Sequence, residues 1–131
     1  MLPRIRKRDM PKVLSASTVA TSLFIDLPEM WNNSANKFFD ALAAGRPILI
    51  NYGGWQADLL KETGAGLIVP PQNPEEAAGL LHDFLQDSER VSRSGKAARK
   101  LAEEKFDRDN LARKLLTVLE RAVQEGRDNR R

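Results

Sequence analysis

Cysteine is absent from the 131 residues, which excludes disulfides and thiolate metal sites and suits a reducing compartment. Long apolar runs are absent as well. None approaches the roughly 18 residues that a membrane-spanning helix needs, so the chain is expected to be soluble or peripheral. Histidine occurs once, as His82, with no serine or carboxylate at catalytic spacing. It reads as a surface or packing residue. Aromatic residues make up only 6% and are not interleaved with the basic ones, which argues against a base-stacking nucleic-acid surface. No repeat of solenoid period is visible.

What is present is ordinary for a folded, α-rich domain: 41% hydrophobic and 30% charged residues. The length fits one domain with a modest core. The net charge of +3 comes from basic residues gathered at the two ends, so it describes the tails. The opening string MLPRIRKRDMPK–VLSASTVATSLFI has the charged and apolar regions of a secretory leader. Four Ser/Thr within Ser15–Thr21, the acid Asp26 and the want of a clean small-residue cleavage site count against that reading.

The chain is organised around Asn32–Trp55, NNSANKFFDALAAGRPILINYGGW. Asn33 and Ser34 are N-cap residues by type. From Ala35 to Ala44 strong helix formers follow, with Phe38 and Leu42, and Phe39 and Ala43, four apart on an apolar stripe. Gly45 supplies a left-handed C-cap, Pro47 blocks continuation, and Arg46 beside the cap serves the helix dipole. Pro-Ile-Leu-Ile is a strand buried on both faces, and Tyr52-Gly53-Gly54 closes it, the glycines reading as a turn rather than a binding loop. Such a helix start, with free N–H groups and partial positive charge, is an anion site.

Around this centre, residues 1–9 read as a loose basic arm and residues 126–131 as a polar tail, with residues 10–125 as the domain. A helix is expected over 10–17 with Asp9 as its cap and Pro11 in its first turn. Val19–Asp26 reads as a strand and Leu27–Trp31 as a loop. Trp55–Lys61 is a helix stopped by Gly64, and Gly66–Val69 a strand ended by Pro70-Pro71. Asn73 caps a helix begun at Pro74, its stripe made by Ala77, Ala78, Leu81, Phe84 and Leu85. Residues 88–105 and 107–124 are helical, the latter with Leu111, Leu115, Val118, Leu119 and Val123 at helical spacing. Alternating strands and helices imply a Rossmann-like α/β fold with a parallel sheet. Three strands leave its edges and faces under-covered, so the sequence looks incomplete.

The string NKFFDALAAGRPILI, followed by the Gly53-Gly54 pair, Asp58 and GAGLIVPP, resembles the C-terminal, nucleotide-sugar-binding domain of a GT-B glycosyltransferase of the family-4 kind. It is most similar to the bacterial amino-sugar transferases of surface-polysaccharide synthesis, over roughly residues 10–105. The resemblance implies a retaining, metal-independent transfer from a nucleotide-diphosphate sugar, UDP-linked, with no other cofactor. Its acceptor would be a cell-surface polysaccharide or a lipid-linked sugar. It also implies a missing N-terminal acceptor domain or a second chain, a cytoplasmic location with peripheral association at the inner membrane, and inactivity of the chain alone. A homo-oligomer formed through the exposed sheet edge is the other partner expected.

In open α/β sheets ligands lie beyond the carboxyl ends of the strands. The amides of Ala35–Lys37 are therefore assigned to the donor diphosphate, with the Lys37 ammonium compensating charge, and the resemblance extends the diphosphate and sugar site over Asn32, Asn33, Ser34, Ala35, Asn36 and Lys37. Asp40 is assigned to the ribose hydroxyls. The family pattern is a Glu, seven residues and a second Glu; here these positions are Asn32 and Asp40. No catalytic base is recognisable. Lys37 and Asp40, three apart, can alternatively form a surface ion pair. Trp31 and Trp55 are read as covering the sheet end rather than stacking on a base, and the Asn32-Asn33-Ser34 sequon as chance. The rival reading is a Rossmann-like binding or partner domain without catalysis.

Overall fold

The computed structural model describes residues 5–128. Residues 1–4 of the expected arm and 129–131 of the expected tail lie outside the described residues. In chain order the elements are α1 (Met10–Ala16), β1 (Ala20–Ser22), α2 (Asn36–Ala43), β2 (Ile48–Ile50), α3 (Trp55–Thr63), β3 (Gly66–Ile68), α4 (Pro74–Gln86), α5 (Ser88–Lys105) and α6 (Arg108–Asp128). The strands form one parallel sheet in the order β1-β2-β3, with Ala20 opposite Ile48 and Ile48 opposite Gly66. This is the α/β, Rossmann-like arrangement that the alternation of strands and helices implies.

Both crossovers, through α2 and α3, step in the same direction across the sheet, so the right-handed rule puts both helices on one face. Ile48 and Ile50 project to that face and pack with Phe38, Leu42, Ala57 and Leu60, joined by Ala98 and Leu101 of α5. Leu49 and Leu67 project to the other face, where Val69 and Phe84 of α4 complete a second cluster. Burying each large side chain contributes about 1.5–3 kcal/mol. All of β2 is buried, as its unbroken apolar run requires. On α4 only part of the expected stripe is covered: Ala77 and Leu81 pack on the sheet, whereas Ala78 and Leu85 are exposed.

Several local expectations are corrected. Val19–Asp26 yields only the three-residue β1, because a side chain takes over the ladder. Asn51 Oδ1 accepts from the Phe24 amide and Asn51 Nδ2 donates to the Phe24 carbonyl, both at 2.9 Å. The expected loop before α2 contains a 3-10 turn, Pro28–Asn32. Asp9 stands at the α1 N-cap position as expected, but its side chain makes no cap bond. It ends a 3-10 turn, Lys7–Asp9, with helical backbone, and its carboxylate accepts from Arg6 Nε at 3.1 Å. The Arg46 side chain does not serve α2. Its Nη2 donates to the Ser15 carbonyl near the end of α1 at 2.5 Å, and Arg99 of α5 instead donates to Ala43 at the end of α2. The α2 terminus itself follows expectation. Gly45 has φ +64, its amide donates to Leu42 and the Arg46 amide reaches back to Ala41, a Schellman closure.

Candidate functional site

At the carboxyl end of β1 the chain turns through Pro28–Asn32 into α2, so the α2 amino end opens at the crest of the sheet. Neither Asn33 nor Ser34 is its cap. Ala35 holds that position with extended backbone and no side-chain cap. Asn33 works one step earlier: its Oδ1 accepts from the Ala35 amide at 3.1 Å, and its Nδ2 donates to the Met30 carbonyl at 2.5 Å. The bend is thus fixed by Asn33, while the amides of Asn36 and Lys37, in the first turn, have no intrahelical acceptor.

A buried polar network ties this bend to the sheet. The Tyr52 hydroxyl donates to Gln56 Oε1 at 2.6 Å and lies 3.1 Å from Ser22 Oγ. Gln56 Nε2 in turn donates to the Asn33 carbonyl at 3.3 Å. Ends of β1 and β2, the first turn of α3 and the approach to α2 are linked through three side chains. Burial pushes the Tyr52 hydroxyl above its ordinary value of 10.0, and the bonds from Ser22 and Asn33 pull the other way. Sequence reasoning missed Ser22, Tyr52 and Gln56; a polar tip on an aromatic ring in an apolar stretch was the available signal.

Trp31 lies over the Gly53-Gly54 turn. A Cβ on Gly53 would stand 3.1 Å from its ring, and one on Gly54, where φ is +85, would overlap its carbonyl. The glycines therefore admit the indole and the loop behind it. Beside them, at the ends of β2 and β3, Asp26, Tyr52, Lys61 and Pro70 help line a hollow of about 260 Å³. Asp26 accepts from Gln72 Nε2 at 2.6 Å. Trp55 takes another place, in an aromatic cluster with Phe39 (centroids 6.2 Å apart), Phe38 and Phe106.

The assigned residues divide between two sides of α2. Asn36 and Asp40 share a hollow of about 550 Å³ with Lys7, Phe39, Phe106 and Arg108. Lys37 is exposed on the crest, its Nζ 4.9 Å above the Phe24 ring. It makes no ion pair with Asp40 among the described residues. Asn32 and Ser34 are exposed in the bend, and Asn33 and Ala35 are half-buried within it. Lys7 and Arg108 are cations that no local motif announced, since they come from opposite ends of the chain. His82 is exposed on α4.

A parallel sheet whose helices lead from the carboxyl ends of its strands, with an open helix start at that crest, defines a Rossmann-like α/β domain. The chain belongs to the glycosyl transferase-like family, whose model matches residues 1–117. It is also similar to spore coat protein SA of Bacillus subtilis (strain 168), with 30% identity over 118 residues, which are 89% of this chain and 30% of that protein. The chain therefore spans under a third of that relative's length. Among the described residues, no helix is long and apolar enough to cross a membrane.

Proposed function

We propose that this chain is the donor-binding part of a glycosyltransferase, holding a nucleotide-diphosphate sugar, UDP-linked, at the α2 amino end. The observation that carries the reading is the α2 start itself: open amides at Asn36 and Lys37, an exposed Lys37, and Asp40 one turn deeper in a hollow with Lys7 and Arg108. Free N–H groups and a helix dipole favour a diphosphate there. Lys37 offsets the charge that builds on the departing nucleotide diphosphate, the task a metal performs in other transferases, while Lys7 and Arg108 make the hollow around Asp40 cationic. Asp40, whose carboxylate has no ion pair among the described residues, accepts from the ribose hydroxyls.

In this reading the bond from the sugar's anomeric carbon to the diphosphate oxygen breaks, the acceptor oxygen bonds to that carbon with retention, and its proton leaves with the diphosphate. The type is GT-B, without a metal. The acceptor is a surface polysaccharide or lipid-linked sugar at the cytoplasmic face of the membrane, a choice that the spore-coat name of the relative fits. Acceptor contacts come from a further domain or second chain, since the chain spans only 30% of that relative. Asn33, Ser34 and Ala35 shape the bend that faces the sugar, and Asn32 stands where the family carries an acid.

Titration of the chain with uridine diphosphate, followed through backbone amide shifts, tests the reading. Shifts concentrated at Ala35–Asp40 and weakened by Asp40→Ala are expected. Uniform silence at those amides overturns it. A second reading, a non-catalytic partner domain, draws on the sheet's two outer strands, β1 and β3, each paired on one side only among the described residues. It predicts that silence together with concentration-dependent self-association.

A further inference from the structure

At the opposite, amino-terminal end of the sheet lies a wider hollow, of about 620 Å³. The end of α1 and the segment before β1 bring Ser15, Ser17 and Thr18 to it. The α2–β2 corner brings Arg46, and α5 brings Lys96 and Arg99. The first turns of α5 add the hydroxyls of Ser88 and Ser92. Among the described residues, no carboxylate lines it. Three cations and five hydroxyls without an acid are a composition suited to an oxyanion.

The second observation is an unmade bond. Arg46 Nε is buried and has no hydrogen-bond partner among the described residues, although Nη2 of the same guanidinium donates to Ser15. A charged donor left unpaired costs more than a neutral one, so this nitrogen calls for an acceptor. Of the three cations, Arg99 already pairs with Glu103 at 2.6 Å. Arg46 and Lys96 have no carboxylate partner among the described residues. The nearby Asp87 is turned onto its own helix, accepting from the Arg90 amide at 2.8 Å. The floor is tightly set: a Cβ on Gly95 would stand 2.7 Å from the Gly45 carbonyl oxygen, so α5 sits directly on the α2–β2 corner.

We propose that this hollow binds a phosphate-type oxyanion, with Arg46 Nε and the hydroxyls of Ser15, Ser88 and Ser92 as directional donors and Lys96 as a point charge, the Ser17 hydroxyl being already given to the Leu14 carbonyl. Free phosphate and the phosphomonoester headgroup of a lipid share that chemistry. The site lies at the other end of the strands from the α2 amino end and does not depend on the donor reading.

The test uses the full chain, titrated with inorganic phosphate and, separately, mixed with phosphatidylcholine vesicles with and without phosphatidic acid. Phosphate is expected to shift the amides of Gly45, Arg46, Ser88 and Ser92 at constant ionic strength. Lys96→Ala, at an exposed position, is expected to weaken binding about tenfold, the loss of one charge-assisted contact. Lys114→Ala on α6 is the control and leaves it unchanged. Arg46→Lys keeps the charge and removes Nε, and is expected to weaken binding as well. Shifts with phosphate alone identify the free ion, and sedimentation only with phosphatidic acid identifies the headgroup; either supports the site. The proposal is overturned if neither probe binds, if chloride reproduces the shifts, or if Lys96→Ala binds as the parent does.

Discussion

At the residue scale the side chains that fix the crest are not those the local motif advertises. Asn33 and Ser34 have the composition of a cap, yet Asn33 spends its oxygen on Ala35 and its amide on Met30, and Ala35 holds the α2 cap position with no side-chain cap. Tyr52 and Gln56 carry the bend through contacts 30 and 23 residues distant, to Ser22 and Asn33. No local pattern encodes that. Replacing Tyr52 by Phe keeps the ring and removes the hydroxyl, leaving Gln56 Oε1 buried without its donor. A loss of about 1–3 kcal/mol in urea unfolding is expected. The same variant has a pH signature. Because burial raises the Tyr52 value above 10.0, its contribution is whole below pH 10. Above that the unfolded chain ionises first, and stability falls as pH climbs through the raised folded-state value. Unfolding midpoints of the parent should drop more steeply above pH 10 than those of Tyr52→Phe. Equal slopes would remove this residue from the balance.

At the element scale, legibility follows whether a signal is completed within a few residues. The Asn73–Pro74 start was readable because cap and donor are three apart: Asn73 Oδ1 accepts from the Glu76 amide at 3.1 Å. The α2 end was readable for the same reason, the Gly45 amide closing on Leu42 and the Arg46 amide on Ala41. Strand ends were not, since β1 stops where Asn51, across the sheet, replaces backbone by side chain. Nor was the partner of Arg46, which depends on where α1 falls. The candidate site shows the same division. Asn36, Lys37 and Asp40 could be named from their helix, whereas Lys7 and Arg108 meet Asn36 and Asp40 only through the tertiary fold. A paired substitution measures the difference between a cap by geometry and one by composition. Asn73→Ala should cost about 1 kcal/mol, and Ser34→Ala, which removes no cap bond from α2, should stay within about 0.5 kcal/mol by chemical denaturation. Reversed magnitudes would mean that Ser34 caps α2 in solution.

For the whole molecule, the core and the last helix stand in contrast. Phe38 and Phe84 are 0% and 1% exposed, while Leu115, Val118 and Leu119 on α6 are 59%, 62% and 54% exposed. The apolar period of α6 was plain in the sequence, but a period states only that one face of a helix wants cover, not what supplies it. In this chain the stripe contributes little burial, whereas Phe38 binds both crossover helices to β2. Phe38→Ala is therefore expected to cost about 3–5 kcal/mol, enough to unfold a marginal domain. Leu115→Glu and Leu119→Glu should each shift stability by no more than about 0.5 kcal/mol, as substitutions of exposed residues do, while lowering the binding of an apolar dye. Thermal unfolding of the three variants side by side, with dye fluorescence at the start of each scan, decides the matter. A large loss from Leu119→Glu would show α6 folded back onto the sheet layers, and the open face would then belong to another part of the surface.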